Sequence, residues 1–226
     1  RKENGELGVI FVNTFISALL FRLGNVKKNI GYNREGRGFL LDFSPEINYH
    51  KHYINRYAFL FNEYIGNKYV YLPELSLRYT GQKTFQFDNS HKTIALYLGG
   101  ENKEFRKYPD EYAVQLLRLL NRQGYNLLLI GDENDNIKHT QYAEEARIDH
   151  LINLTARTTI EGFINTIANV DLIITIDSSA LHIAAAVKTP FIALMGLSTS
   201  PTSTILPKVP LGRILKIENN LIREED

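Results

Sequence analysis

Through the second half of the chain, short unbroken apolar runs alternate with segments whose apolar residues recur every three or four positions. The runs are KTIALYLGG (92–100), NLLLIGD (126–132), HLINLT (150–155), LIITI (172–176) and FIALMG (191–196). Such runs read as strands covered on both faces. Between them, positions 109–123 carry apolar residues at 113, 114, 116, 117, 119 and 120, with Pro109 at the start and Gly124 as the stop, which predicts a helix. A weaker, more polar helix is predicted over 136–147, another over 158–169 behind a threonine cap with Glu161 in its first turn, and another over 179–187. Strands that alternate with helices of this length predict βαβ units and a parallel sheet. Residues from about 90 to 200 therefore read as a doubly wound α/β domain. Ligands of such sheets bind outside the carboxyl ends of the strands. There this chain places Gly99-Gly100, Gly131-Asp132, Asp177-Ser178-Ser179 and Gly196, residues that any tight strand-to-helix turn also needs.

The first 85 residues are less regular. GVIFV (8–12) reads as a strand, 16–23 as a short helix and KNIGY (28–32) as a short strand, followed by the glycine- and arginine-rich loop NREGRGF. Positions 50–65 look helical and aromatic, and 68–89, with Pro73 and few helix signals, read as a linker. The segment resembles half of an α/β domain. The predicted organisation is 1–88 as the remainder of an N-terminal domain with its linker, and 89–226 as a C-terminal domain.

Composition narrows the function classes. With 226 residues, 44% hydrophobic and 23% charged, the chain is ordinary for a globular protein. A net charge of +1 gives no bulk field for nucleic acid. The absence of cysteine excludes disulfides, thiolate metal sites and a cysteine nucleophile. No apolar run reaches 18 residues, and the longest candidate, 7–21, is interrupted by Asn13, Thr14 and Ser17. The sequence has no initiator methionine and enters a strand at once, so the natural N-terminus is expected upstream.

Three stretches carry candidate chemistry. In LIITIDSSALHIAAAV a strand meets a polar turn and then a helix starting at Ser178 or Ser179. Free backbone N–H groups and the helix dipole suit that place to a phosphate. Asp177 would accept hydroxyl hydrogen bonds or hold the turn, His182 lies one turn along, and Ala184, Ala185 and Ala186 let the helix approach the sheet. The plain alternative is an N-cap with a helix-facing histidine, and spacing alone leaves both open. In GGENKEFRKYPDEY (99–112) two glycines permit close backbone approach, and Lys103, Arg106 and Lys107 cluster before a helix. The cluster either neutralises a diphosphate or is a solvated charged loop. GDENDN (131–136) fails as a calcium loop, because its sixth and twelfth positions hold Ile137 and Ala143. Its acids suit ribose hydroxyls instead. No strand is followed by GxGxxG, and no GxxxxGK[ST] or GxSxG occurs. His50 and His52 read as a surface pair rather than metal ligands, and the Asn153 sequon is discounted because it falls on a predicted interior strand.

Taken together, these stretches resemble glycosyltransferase family 9, the ADP-heptose:lipopolysaccharide heptosyltransferases. The matching elements are Gly99-Gly100, the Arg106-Lys107-Tyr108-Pro109 step, the turn Ile176-Asp177-Ser178-Ser179-Ala180-Leu181-His182, and the segment from Pro190 through Met195-Gly196-Leu197-Ser198 to Pro201. The front segment, VIFVNTFISALLFRLGNVKKNIGYNREGRGFLL, is similar to the late N-domain of that family. The resemblance implies a GT-B fold of two Rossmann-like domains, here with the N-terminal one incomplete, and an active site in the cleft between them. It implies transfer of a heptose or related sugar, with inversion, from an ADP-sugar to a lipopolysaccharide core or other surface saccharide. It implies no cofactor and no metal, and no nucleic-acid partner. The protein would act in the cytoplasm, at the inner face of the inner membrane, touching the membrane peripherally through its lipid-linked acceptor.

Site residues carry over one by one. Ser178, Ser179 and Ala180 would take the diphosphate, with Asp177 and His182 on sugar or phosphate, and Gly99, Gly100 and Gly196 close to the donor. Arg106 stands where the family has lysine near the developing phosphate charge. Thr158 matches a position near the adenine, and Glu133 or Asp135 a ribose acceptor. Arg34 and Arg37 match the region that meets the acceptor. Ser179, Tyr108 and Gly100 depart from the family's usual glycine, tryptophan, and alanine or threonine. The family's general base, an aspartate on a G-D turn after the first strand, is expected upstream of Arg1, so this chain alone is expected to be inactive. The alternatives are a non-catalytic nucleotide-sugar-binding relative and a Rossmann-like dehydrogenase, which NADH binding would revive.

Overall fold

The computed structural model describes residues 5–69, 75–99, 106–196, 206–207 and 209–216. The chain opens with β1 (Leu7–Ile10), α1 (Phe15–Leu23) and β2 (Lys28–Gly31), then a 3-10 turn at Arg37–Leu40 and α2 (Tyr53–Tyr64). There follow β3 (Thr93–Tyr97), α3 (Asp110–Arg122), β4 (Asn126–Leu129), α4 (Asn136–Ala146), β5 (Leu151–Asn153) and α5 (Ile160–Ala168). The described elements end with β6 (Leu172–Ile176), α6 (Ser179–Val187), β7 (Phe191–Met195) and β8 (Gly212–Lys216).

The second-half strands form one sheet in the order β5-β4-β3-β6-β7-β8, and every pairing is parallel. This is the doubly wound order 3-2-1-4-5-6 of a Rossmann-like sheet. The apolar runs alternate between two cores, one on each face. On one face Ile94, Leu96, Leu127 and Leu129 meet Ala113 and Leu117 of α3 and Tyr142 and Ala146 of α4. On the other, Ala95, Tyr97, Leu128 and Ile173 meet Ile167 of α5 and Ala180, Leu181, Ala184 and Ala185 of α6. The alanines of α6 are fully or almost fully buried, so its backbone lies close to the sheet, as the sequence predicts.

Two features differ from the sequence expectation. β8 was not predicted; it pairs with β7 from Phe191↔Gly212 to Met195↔Lys216. The domain boundary predicted at residue 88 falls earlier, after residue 73. Described residues of the expected linker have no regular structure but pack on the second unit. Leu77 N–H donates to the Ala186 carbonyl (3.2 Å), Gly81 N–H to Asn165 Oδ1 (3.1 Å), and the Thr84 and Thr166 hydroxyls meet at 2.6 Å. Phe85 and Phe87 lie against the α5–α6 core. The predicted linker is thus a strap on the second unit, tied by a backbone bond at Leu77 and by side chains at Gly81 and Thr84 in place of strand pairing.

The first unit is built on a small parallel pair, β1 and β2, with a bridge from Ile30 to Phe43. Ile10, Ala18 and Leu40 form its buried cluster, with Phe15, Leu19 and Leu41 against it.

Candidate functional site

β3 and β6 are adjacent at the centre of the sheet, and the chain leaves them for opposite faces, β3 towards α3 and β6 towards α6. This is the topological switch point, where an open α/β sheet has its ligand crevice. Tyr97 is the register partner of Thr175. The Gly99 turn and the Asp177-Ser178-Ser179 turn therefore leave neighbouring strand ends. Gly99 has φ +79°, a conformation that favours glycine.

At the start of α6 Ser178 is the N-cap; its hydroxyl accepts from Ala180 N–H (3.2 Å) and lies 3.0 Å from the Thr175 hydroxyl. The capped-helix reading is therefore correct. Ser179 is exposed there, Asp177 and His182 are half-buried, and Ala180 is buried beneath them.

The Arg106–Pro109 step is fixed to the same edge. Tyr108 N–H donates to the Leu98 carbonyl (2.8 Å), and the Tyr108 ring touches both cores. The Asp110 carboxylate accepts from Tyr142 OH (2.6 Å), Lys138 Nζ (3.1 Å) and Lys107 Nζ (3.2 Å). Partial burial alone would raise its pKa; these hydrogen bonds outweigh it and hold the carboxyl below the usual range. Lys107 is thereby tied to α3 and α4, while Arg106 is exposed. Arg106 and Lys107 border a cavity of about 200 Å³ whose other walls include Ile176, Met195, Gly196 and Lys216. Two predicted donor-site residues, Arg106 and Gly196, share this cavity, and Asp177 directly follows its wall residue Ile176.

On the other side of the switch point, Glu133 is exposed on the 3-10 turn after β4, and Thr158 is half-buried before α5, whose N-cap is Thr159. With strands ~4.8 Å apart, the edge from β5 to β7 spans about 19 Å. Thr158 follows β5, Glu133 β4, Gly99 β3, Asp177 β6 and Gly196 β7, successive strands of that edge.

Several sequence expectations are corrected. Arg37 is fully buried and is not available to an acceptor. Its guanidinium donates to the carbonyls of Tyr32 (2.9 Å), Thr14 (3.2 Å) and Val12, to Asn13 Oδ1 (2.9 Å) and to Ser17 Oγ (3.2 Å). Desolvation lowers its pKa, and it serves as a cross-link of the first unit. Arg34, by contrast, is exposed and stacks on Tyr49, 5.3 Å from the ring centre. Asp135 is fully buried, accepting from Asp132 N–H (3.0 Å) in a capping box, whereas Glu133 and Asp132 of that turn are exposed. His52 is buried rather than on the surface and caps α2 through Nδ1. Asn153 lies on an edge strand, not an interior one, and its Oδ1 accepts from Thr155 N–H (3.0 Å). Gly100 and Lys103 lie outside the described residues. Among the described residues no group of three or more His, Asp or Glu side chains is placed to hold a metal ion.

Sequence reasoning missed two features of the site. One is β8, which supplies Leu215 and Lys216 to the cavity; its signal is the short run of apolar residues after Gly212. The other is His139, fully buried on α4, with Nδ1 2.8 Å from Thr155 Oγ1. Burial pulls its pKa down to about 4, against the opposing influence of Asp132 and the Gly99 backbone. A histidine in a polar helix gives no such sign in one dimension.

The sequence model of glycosyltransferase family 9 (heptosyltransferase) matches residues 2–221. The lipooligosaccharide heptosyltransferase 2 of Haemophilus influenzae is 26% identical over 244 residues, which cover all of this chain and 70% of that protein. The solved structure of the Escherichia coli ADP-heptose lipopolysaccharide heptosyltransferase II superposes with a TM-score of 0.79 at 22% identity, covering 95% of this chain and 69% of that one. E. coli heptosyltransferase WaaC, solved with ADP-2-deoxy-2-fluoro heptose, superposes with a TM-score of 0.72 at 17% identity, covering 95% and 67%.

Proposed function

The chain belongs to glycosyltransferase family 9, and on that premise we propose that its second unit holds an ADP-sugar, a heptose donor, for transfer to a lipopolysaccharide core saccharide. What carries this reading is the switch point: the Gly99 turn, the Asp177–Ser179 turn with the start of α6, and the Arg106 cavity lie along one strand edge. Departure of ADP leaves negative charge on the diphosphate. Arg106 and the N-terminus of α6 are the groups suited to stabilise it, the first by charge-assisted hydrogen bonds and the second by dipole and amide. Asp177 and His182 contact the phosphate or the sugar of the donor. Glu133 accepts from the ribose, and Thr158 lies beside the adenine. In this reading no cofactor beyond the donor takes part. Arg34, the exposed cation of the first unit's glycine-rich loop, faces the acceptor. Among the described residues no helix is long and apolar enough to cross a membrane; the reading places the protein in the cytoplasm, meeting the inner membrane face through its acceptor.

Calorimetric titration of ADP, UDP and NADH tests the donor site, with the Asp177→Ala, His182→Ala double variant beside the unchanged chain. Selective ADP binding that the double variant weakens by about tenfold or more is expected. A preference for NADH, or ADP binding that the double variant leaves intact, sinks the reading.

A further inference from the structure

Three loops of the proposed donor edge converge on one buried side chain. His139 projects from α4 into the space under the ends of β3, β4 and β5, and none of its surface is exposed. Its Nδ1 lies 2.8 Å from the hydroxyl of Thr155, itself fully buried just after β5. The Gly99 backbone after β3 lies near enough to act on the ring's charge, and the buried Nε2 has no hydrogen-bond partner among the described residues. The carboxylate of Asp132, after β4, lies close enough to act on the ring's charge. The loops are also tied to one another: Ala156 N–H donates to the Gly131 carbonyl (3.1 Å), and Leu154 N–H to the Leu129 carbonyl (2.8 Å).

Burial keeps the ring neutral at ordinary pH. A neutral imidazole has one donor and one acceptor nitrogen. A backbone carbonyl offers Nε2 nothing but an acceptor, so the consistent tautomer has Nε2–H directed at Gly99 and Nδ1 accepting from the Thr155 hydroxyl. A buried polar nitrogen short of its hydrogen bond is costly, and its pairing is gained when the neighbouring peptide turns towards it. Gly99, at φ +79°, is a residue with the backbone freedom to make that turn.

Resting on the donor-site reading above, we propose that His139 is a positioning residue for nucleotide binding: oriented by Thr155, it holds the Gly99 peptide in the conformation that receives the diphosphate. It touches no substrate atom, and its effect passes through the Gly99 turn.

Amide side chains separate its two hands. In His139→Gln the amide reaches the place of Nε2 and still donates to Gly99. In His139→Asn it reaches the place of Nδ1 and meets Thr155 alone. Thr155→Val keeps the shape and removes the orienting hydroxyl. ADP affinity by calorimetry and the thermal midpoint are measured for each. His139→Asn and Thr155→Val are expected to weaken ADP binding about tenfold, and His139→Gln to hold it within about threefold, with no relation to the order of their melting temperatures. Equal affinity in all variants with ADP bound by the unchanged chain overturns the role of His139 alone. Affinity losses that simply follow the loss of thermal stability also overturn it, since His139 would then be ordinary packing. If His139→Asn does not fold, Thr155→Val decides the matter by the same criterion. An unchanged chain that binds no ADP overturns the donor-site reading and this role with it.

Discussion

Arg37 shows how a residue's chemistry can be right and its role wrong when read from sequence. An arginine between glycines in a polar loop looks like a solvated cation poised for an anionic ligand. Its actual partners, the carbonyls of Val12 and Thr14, come from a turn more than 20 positions earlier, and nothing local announces them. Residues whose place depends on strand ends were legible, because a strand end is a local pattern: Gly99, Asp177, Ser178 and Gly196 all fall where the apolar runs predicted. Residues whose role depends on burial, Arg37, Asp135 and His139, were not. Arg37→Met keeps the length of the side chain and removes its donors, stranding the carbonyl of the buried Tyr32. It is expected to cost the first unit on the order of 3 kcal/mol in urea unfolding. ADP affinity, which belongs to the second unit, should not change. A variant as stable as the parent would return Arg37 to the list of ligand-facing groups.

At the level of elements, the sequence located the strands and helices of the parallel sheet through β7, because strands covered on both faces are continuous apolar runs and the helices carry their own caps. β8 escaped this logic for a physical reason. It is an edge strand, exposed along most of its length, so its residues need not be uniformly apolar. Its placement rests on close packing at its first residue. Gly212 is the register partner of Phe191, and a β-carbon built on Gly212 would fall on the Phe191 ring. Phe191 is buried in the α5–α6 core, so its ring has little room to yield. Gly212→Ala is therefore expected to destabilise the second unit by about 1–3 kcal/mol. It should also displace Leu215 and Lys216 from the Arg106 cavity. Chemical denaturation gives the first effect, and a thermal midpoint within about a degree of the parent would show that β8 does not depend on this contact.

For the molecule as a whole, family membership and the two-unit plan were both legible, the first from motifs at strand ends and the second from the change in regularity near the middle of the chain. The boundary was misplaced because a segment without secondary structure looks like a linker whether it is solvated or strapped to a core. The two units also differ in how they are held. The second encloses a six-stranded sheet between two apolar cores. The first has a two-stranded parallel pair, a buried cluster of Ile10, Ala18 and Leu40, and the buried Ile30, Tyr32 and Leu60, while Ile16, Leu20 and Leu23 on α1 are 67%, 63% and 70% exposed. Two strands with so small a core hold little free energy against local opening, since most of the stability of such an element comes from buried apolar area. Amide hydrogen exchange should therefore divide the chain. Amides of β3, β4, β6 and β7 are expected to exchange at the rate of global unfolding, and those of β1, β2 and α1 at least about a hundredfold faster. ADP should slow exchange in the turns after β3 and β6, because a ligand that binds the folded second unit stabilises what it touches. It should leave the exchange of β1 and β2 unchanged. Equal protection across the chain would mean that the buried arginine and the small cluster hold the first unit as firmly as a complete sheet holds the second.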